Sequence, residues 1–234
     1  MESVRLDKYL SVALAVSRTD AKTLLKQKCV AVNGSVVTKA DVKVAEADSV
    51  TVRGKNVTYK KNIYLVMNKP KGVLSASSDK RAKTVIDIVP ECFRHYELFT
   101  VGRLDKDTTG LLLITNDGDF AHRVISPKSN IDKLYHVILD GNVTEEQIAL
   151  FEKGVTLADG TQCLPAALSV LGEREALIKI REGKYHQVKR MFGVIGLGVD
   201  GLRRVSIGDF RLPDDLQEGE CRELTAEELH KVLI

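Results

Sequence analysis

Apolar positions recur along the chain with two periods, and the change of period marks where helices give way to strands. In residues 5–14, Leu6, Leu10, Ala13 and Leu14 fall at helical spacing. Ser17 is placed to N-cap a second helix reaching about Lys28, because its hydroxyl can accept from an early helical N–H. On that helix Ala21, Leu24 and Leu25 lie on or beside one face, and Arg18, Lys22 and Lys26 recur every fourth residue on the other. Residues 29–32, Asn33-Gly34 and residues 35–37 then predict a β-hairpin, since Asn and Gly both tolerate the positive φ of a tight primed turn. The front of the chain therefore reads helix, helix, hairpin.

Residues 53–62 are polar and basic between two β-rich runs, so the linker is placed there, with domains at 1–60 and 61–234. In the second, residues 63–67 form a strand signal closed by the turn Asn68-Lys69-Pro70-Lys71-Gly72, and residues 84–88 open a short helix. Further strands are predicted at 111–115, 133–139, 166–171 and 176–181, and helices around 120–125, 144–153 and 186–195. Thr144 caps the middle helix, with Glu145 and Glu146 in the first turn, where the helix dipole favours negative charge. Strands and helices alternate without a strict βαβ rhythm. The expected class is α+β, a small two-helix-plus-hairpin domain followed by a mixed, largely antiparallel sheet flanked by helices.

Composition narrows this further. With 234 residues and 44% hydrophobic content, the chain can bury a sizeable core. No apolar run approaches the roughly 20 residues of a membrane helix, and residues 1–10 alternate charge with apolar groups where a secretion signal needs an apolar stretch. The expectation is a cytoplasmic protein with no membrane partner. Cys29, Cys92, Cys163 and Cys221 are scattered singly, which predicts buried thiols and no disulfide framework or metal site. Net charge is only +3, yet residues 1–61 carry 12 Lys and Arg against 6 Asp and Glu, and the remainder 23 against 26. Such asymmetry points to a small module that meets a polyanion, joined to a near-neutral body that does something else.

Candidate chemistry concentrates in two places. Residues 102–111, Gly-Arg-Leu-Asp-Lys-Asp-Thr-Thr-Gly-Leu, set Asp105 on a turn at the mouth of the apolar run 111–114, rigidly carried yet open to a ligand. The same residues mimic the opening of a calcium loop, but the twelfth position is Asn116 instead of a bidentate glutamate. Asp105 and Asp107 are neighbours on one turn, which does not suit a glycosidase pair facing each other across a substrate. An ion pair with Arg103, or a turn cap, would account for an isolated Asp105. The second place is residues 182–192, a glycine turn leading into a helix with His186, Lys189 and Arg190, which taken alone could be a structural histidine and solvated charge.

Asp7-Lys8-Tyr9-Leu10, Ser17-Arg18 and Val30-Ala31-Val32-Asn33-Gly34 together resemble the S4 RNA-binding domain over about the first fifty residues. The Gly-Arg-Leu-Asp turn, Asn68-Lys69-Pro70-Lys71-Gly72, Lys133-Leu134-Tyr135 and residues 183–192 resemble the pseudouridine synthase superfamily over essentially the whole chain. Asp105-x-Asp107-Thr108-Thr109-Gly110-Leu111, Ser126-Pro127 and Tyr185-His186-Gln187-Val188-Lys189-Arg190-Met191-Phe192 look most like the branch that modifies small-subunit (16S) ribosomal RNA.

The resemblance implies that Asp105 is the catalytic aspartate, that Tyr135 packs against the target base, and that Lys189 is the basic partner of Asp105; since the uridine must be extruded, Arg103 is expected to help hold the flipped state. RNA contacts are expected from Arg5, Lys8, Arg18, Lys22 and Lys26 in the front module, and from Lys69, Lys184, His186 and Arg190 in the body. Turning uridine into pseudouridine breaks C1′–N1, turns the uracil over, joins C1′ to C5 and removes the C5 proton, so no cofactor and no metal are expected. Asp105 can attack the sugar or the base, or accept the C2′ proton in an elimination. Burial under an everted nucleotide penalises the carboxylate, and a cation must offset that penalty. The expected partner is ribosomal RNA or a partly assembled small subunit, with the protein a monomer, since no coiled-coil heptad is present. Large-subunit (23S) ribosomal RNA as target and a non-catalytic ribosome-assembly protein are the alternatives.

Overall fold

In the computed structural model, residues 3–234 are described, and they divide into two compact units. One runs to Ile63 and includes Glu91–Glu97; the other comprises Tyr64–Pro90 and Leu98–Ile234. The grouping of Glu91–Glu97 with the front unit is announced by no pattern in the sequence.

The front unit opens with β1 (Ser3–Arg5), α1 (Leu6–Ala13) and α2 (Arg18–Lys26), followed by short strands β2 (Val30–Val32), β3 (Ser35–Val36), β4 (Lys43–Ala45), β5 (Val50–Val52) and β6 (Lys55–Asn56). The Ser17 hydroxyl accepts from Asp20 N at 3.1 Å and caps α2 as expected. Asn33 and Gly34 both take positive φ, 50° and 79°, which turns β2 back onto β3. Leu6, Leu10, Ala21, Leu25, Val30, Val44 and Val50 form the core of this unit. Arg18, Lys22 and Lys26 are left exposed on the far side of α2. The hairpin continues into a sheet of order β3-β2-β5-β6, with a separate β1–β4 pair.

The second unit is built on a nine-stranded sheet. Its elements are β7 (Tyr64–Lys69), β8 (Phe99–Val101), β9 (Thr109–Thr115), α3 (Gly118–Ile125), β10 (Lys133–Leu139), α4 (Glu145–Lys153), β11 (Ala167–Gly172), β12 (Glu175–Ile180), α5 (Gln187–Val194), β13 (Val199–Ile207), β14 (Phe210–Arg211), β15 (Cys221–Glu223) and α6 (Ala226–Val232). The order is β11-β12-β10-β13-β9-β7-β15, with β8 on β9 and β14 on β13. Every pairing is antiparallel except β13 against β9, so the expected mixed, largely antiparallel sheet is what forms. Leu111 to Ile114 are fully buried, as a strand covered on both faces must be. Leu111, Leu113 and Val66 pack with Phe120 and Val124 of α3.

Several boundaries differ from the sequence reading. Residues 84–88 make only a 3-10 turn at Ile86–Ile88, because the Thr84 N–H and hydroxyl both donate to Asp87 Oδ2 at 2.8 and 2.9 Å and close a local loop. Helix α3 begins at Gly118, two residues early, since the Asp117 carboxylate accepts from Asp119 N and Phe120 N. Cys163 alone is buried; Cys92 is exposed, and Cys29 and Cys221 are intermediate. No helix among the described residues is long and apolar enough to cross a membrane.

Candidate active site

Asp105 is carried by the segment between β8 and β9, and that segment is tied down from beneath. Gly102 takes φ 72° where the chain leaves β8. Ser75 Oγ donates to the Leu104 carbonyl at 2.8 Å and accepts from Leu104 N at 3.1 Å. Gly72 N donates to the Lys106 carbonyl at 2.7 Å, and Thr108 N to that of Asp105 at 3.1 Å.

Lys69 supplies the third tie. Its ammonium donates to the carbonyls of Pro70 at 3.0 Å, Thr108 at 2.9 Å and Lys106 at 3.4 Å. The side chain is wholly buried, so the expectation that Lys69 touches RNA is corrected: it holds the inside of the Asp105 turn. Burial pushes its pKa down to about 8, against the pull of Asp107 and Asp105.

The Thr-Thr-Gly that reads as a turn is in part strand. Thr109 and Gly110 begin β9, and Gly110 lies so close to β13 that a Cβ there would sit 2.3 Å from the Arg204 carbonyl oxygen. Glycine at this position lets β9 and β13 pair beneath the site.

The second cluster arrives from the turn before α5. Buried Glu182 accepts from Leu164 N at 2.8 Å and from Gln187 Nε2 at 2.9 Å, and also pairs with Lys184. Gln187 Oε1 accepts from Lys184 N at 2.9 Å. This web fixes His186 in a left-handed conformation at the N-cap of α5, φ 48°, with Nε2 3.4 Å from Asp105 Oδ1. One turn into α5, Lys189 Nζ lies 3.8 Å from Asp105 Oδ2. Its closest acid is Asp107, at 2.5 and 2.7 Å, so the ammonium expected to partner Asp105 is shared between the two carboxylates of the turn. The Lys189 ammonium beside it holds the Asp107 carboxyl below its ordinary range.

A cleft of about 510 Å³ opens over this arrangement, lined among others by Arg103, Asp105, Lys133, Tyr135, His186 and Arg204. Arg103 is exposed on it. Tyr135, on β10, is 8% exposed, and its hydroxyl accepts from Arg204 Nη1 at 3.4 Å. Arg204 escaped the sequence reading. It is buried on β13, its Nε donates to the Leu111 carbonyl at 2.7 Å, and its Nη2 has no hydrogen-bond partner among the described residues. Lys133 is buried in the same wall and donates to the carbonyls of Ile131 at 3.0 Å and Arg181 at 3.3 Å. Burial, with the Arg204 charge second, pushes its pKa down to about 8.

Asp105, Tyr135, His186 and Lys189 thus converge, with Arg103 and Lys184 also on the cleft. Arg190 faces Asp159 at 2.5 Å. In the front unit Arg5 is engaged with Asp7 at 3.0 Å, while Lys8 is exposed. The cleft carries a carboxylate on a rigid turn, flanked by an ammonium and an imidazole, and a tyrosine, with the Glu182 carboxylate also in its lining but bonded into its own web.

Known proteins resemble the chain over nearly its whole length. Residues 63–193 match the family model for RNA pseudouridylate synthase, and residues 4–50 that for the S4 domain. The chain is 42% identical over 231 residues to an uncharacterized RNA pseudouridine synthase of Aquifex aeolicus, covering 98% of this chain and 96% of that one. It is 41% identical over 230 residues to the ribosomal small subunit pseudouridine synthase A of Vibrio cholerae, covering 98% and 99%. A crystal structure of a pseudouridylate synthase superposes with a TM-score of 0.70 at 36% identity, covering 98% of this chain and all of that one. A family model matched over residues 63–193, with relatives at about 40% identity covered over nearly their whole length, identifies this protein as a member of the RNA pseudouridylate synthase family.

Proposed function

We propose that the protein isomerises a uridine of small-subunit ribosomal RNA to pseudouridine, with Asp105 as the catalytic carboxylate. The carrying observation is that Asp105 alone among the carboxylates of its turn lines the large cleft, whereas Asp107 is taken up by Lys189. The choice of small-subunit RNA is supported by the similarity to the Vibrio cholerae protein.

The residues divide the work as follows. A uridine inside folded RNA must be everted to reach Asp105, and a cleft of about 510 Å³ is within the range of small-molecule pockets. Tyr135 packs against the everted uracil and recovers part of the stacking lost. Lys189 and His186 offset the cost of enclosing a carboxylate under the nucleotide. Asp105 then attacks C1′ or the base, or takes the C2′ proton; either way C1′–N1 breaks, C1′–C5 forms, and the C5 proton leaves. Arg103, at the rim, holds the vacated strand. Lys8, Arg18, Lys22 and Lys26 contact phosphates from the front unit, and the enzyme works as a monomer in the cytoplasm. Mapping pseudouridines in ribosomal RNA from cells lacking the protein tests the target: loss of a single small-subunit site is expected. A missing large-subunit site would overturn the choice of RNA, and an unchanged map would overturn the enzymatic reading.

A further inference from the structure

Tyr185 is the most exposed large apolar side chain among the described residues, with 70% of its surface open, and it stands on the lip of the cleft that holds Asp105. A single exposed hydrophobic is ordinary on a protein surface; the surroundings of this one are not. Its ring lies on the imidazole of His186, with centroids 3.8 Å apart and planes inclined by 20°. His186 in turn reaches Asp105 Oδ1 at 3.4 Å.

The ring is also well supported. The Tyr185 carbonyl accepts from Arg190 Nη1 at 3.3 Å, and its neighbours Lys184 and His186 are set by the Glu182 and Gln187 web. One face of the ring rests on imidazole, and the high exposure leaves the other to solvent. Cationic Arg103, Lys106 and Lys184 line the same cleft. An aromatic face held rigid among cations suits a nucleobase with its phosphate.

We propose that Tyr185 is a stacking platform for the nucleobase adjacent to the everted uridine. This rests on the proposed RNA uridine isomerase function. Everting one nucleotide leaves its neighbour with an uncovered face, and an aromatic ring can cover it. Because every base has a π face, the platform stabilises the opened strand without reading sequence. The stack of base, Tyr185 and His186 also ends beside Asp105.

The test uses the full chain and a short oligouridylate carrying 2-aminopurine beside its central uridine. Binding to the Asp105→Asn protein is expected to quench the 2-aminopurine, and adding Tyr185→Ala should remove the quenching and weaken binding about 5- to 150-fold, the range of one base–aromatic stack. Tyr185→Phe should restore both most of the way, because the ring does the stacking. Leu171→Ala, an exposed apolar residue outside the cleft, should change neither. Equal affinity and equal quenching with and without the Tyr185 ring would overturn the platform. A wild-type protein that forms no pseudouridine would instead sink the isomerase reading, and ring-dependent quenching would still be read separately from it.

Discussion

Lys69 and Lys133 are each buried against backbone carbonyls, without a carboxylate at hydrogen-bonding distance among the described residues, and their folded-state pKa values fall to about 8 from 10.5. The sign of the linkage follows. Between pH 8 and 10.5 the unfolded chain holds more protons on these two groups than the folded chain, so stability rises with pH across that window. Below pH 8 both groups are charged in both states and their burial cost is fully present. Denaturant titrations from pH 7 to 10.5 should show this rise, and Lys69→Met should flatten it; an unchanged slope would place Lys69 in water. Arg204 belongs to the same scale. Its guanidinium meets the Tyr135 hydroxyl at 3.4 Å, so under the proposed function it positions the ring that packs against the base. Arg204→Lys should lower kcat/KM about tenfold with Tyr135 present and much less in a Tyr135→Phe background, a coupling of about 1 kcal/mol. Strict additivity would mean that Arg204 is only a strut between β13 and β9.

At the scale of elements, strength of pattern separates what the sequence disclosed from what it hid. Helices α2 and α4 were legible because each starts at a capping hydroxyl, Ser17 and Thr144, and α1, whose N-cap Arg5 makes no side-chain cap bond, was legible from its apolar spacing alone. Strand β10 was legible because Leu134, Tyr135, Val137 and Leu139 sit among few breakers. Strand β13 was hidden: Asp200, Gly201, Arg203 and Arg204 break its alternation, so the strand that carries Arg204 into the cleft was missed. Strand β7 was read two residues short, since Asn68-Lys69-Pro70 looks like a solvated turn; in fact Lys69 still pairs with Gly110, which is why its ammonium points inward. Helix α6 had a readable signal in Thr225 and Glu228, which form a capping box. The Asp105 turn was read correctly as rigid and open, but its supports, Ser75 and Lys69, come from distant sequence. Gly110 tests this level. With φ 98° and a Cβ placed 2.3 Å from the Arg204 carbonyl, Gly110→Ala should destabilise the protein by at least about 2 kcal/mol, since a strained backbone costs about 1–3 kcal/mol before any clash. A thermal midpoint within a degree or so of wild type would show that β9 and β13 are not so closely apposed.

For the whole molecule, the charge asymmetry of the sequence becomes a division of labour. The front unit keeps Arg18, Lys22 and Lys26 exposed on the side of α2 away from its core, and the second unit holds a cleft whose buried cations face backbone and tyrosine. Replacing Arg18, Lys22 and Lys26 by Ala should leave stability within about 0.5 kcal/mol, because the side chains are at the surface. The slope of log affinity for ribosomal RNA against log salt should fall by about 2 to 3, since each phosphate contact contributes about 0.7 to 0.9. An unchanged slope would mean that the front unit meets something other than RNA. Under the proposed function the carboxylate at residue 105 carries the reaction, because Asp107 is held by Lys189 at 2.5 Å and Glu182 is buried in its own web. The most direct test is to quantify pseudouridine in small-subunit ribosomal RNA from cells lacking the protein, after supplying either the wild-type chain or Asp105→Asn. The wild-type chain should restore one site and the variant none, while the purified variant still binds the RNA. Restoration of that site by Asp105→Asn would contradict the account.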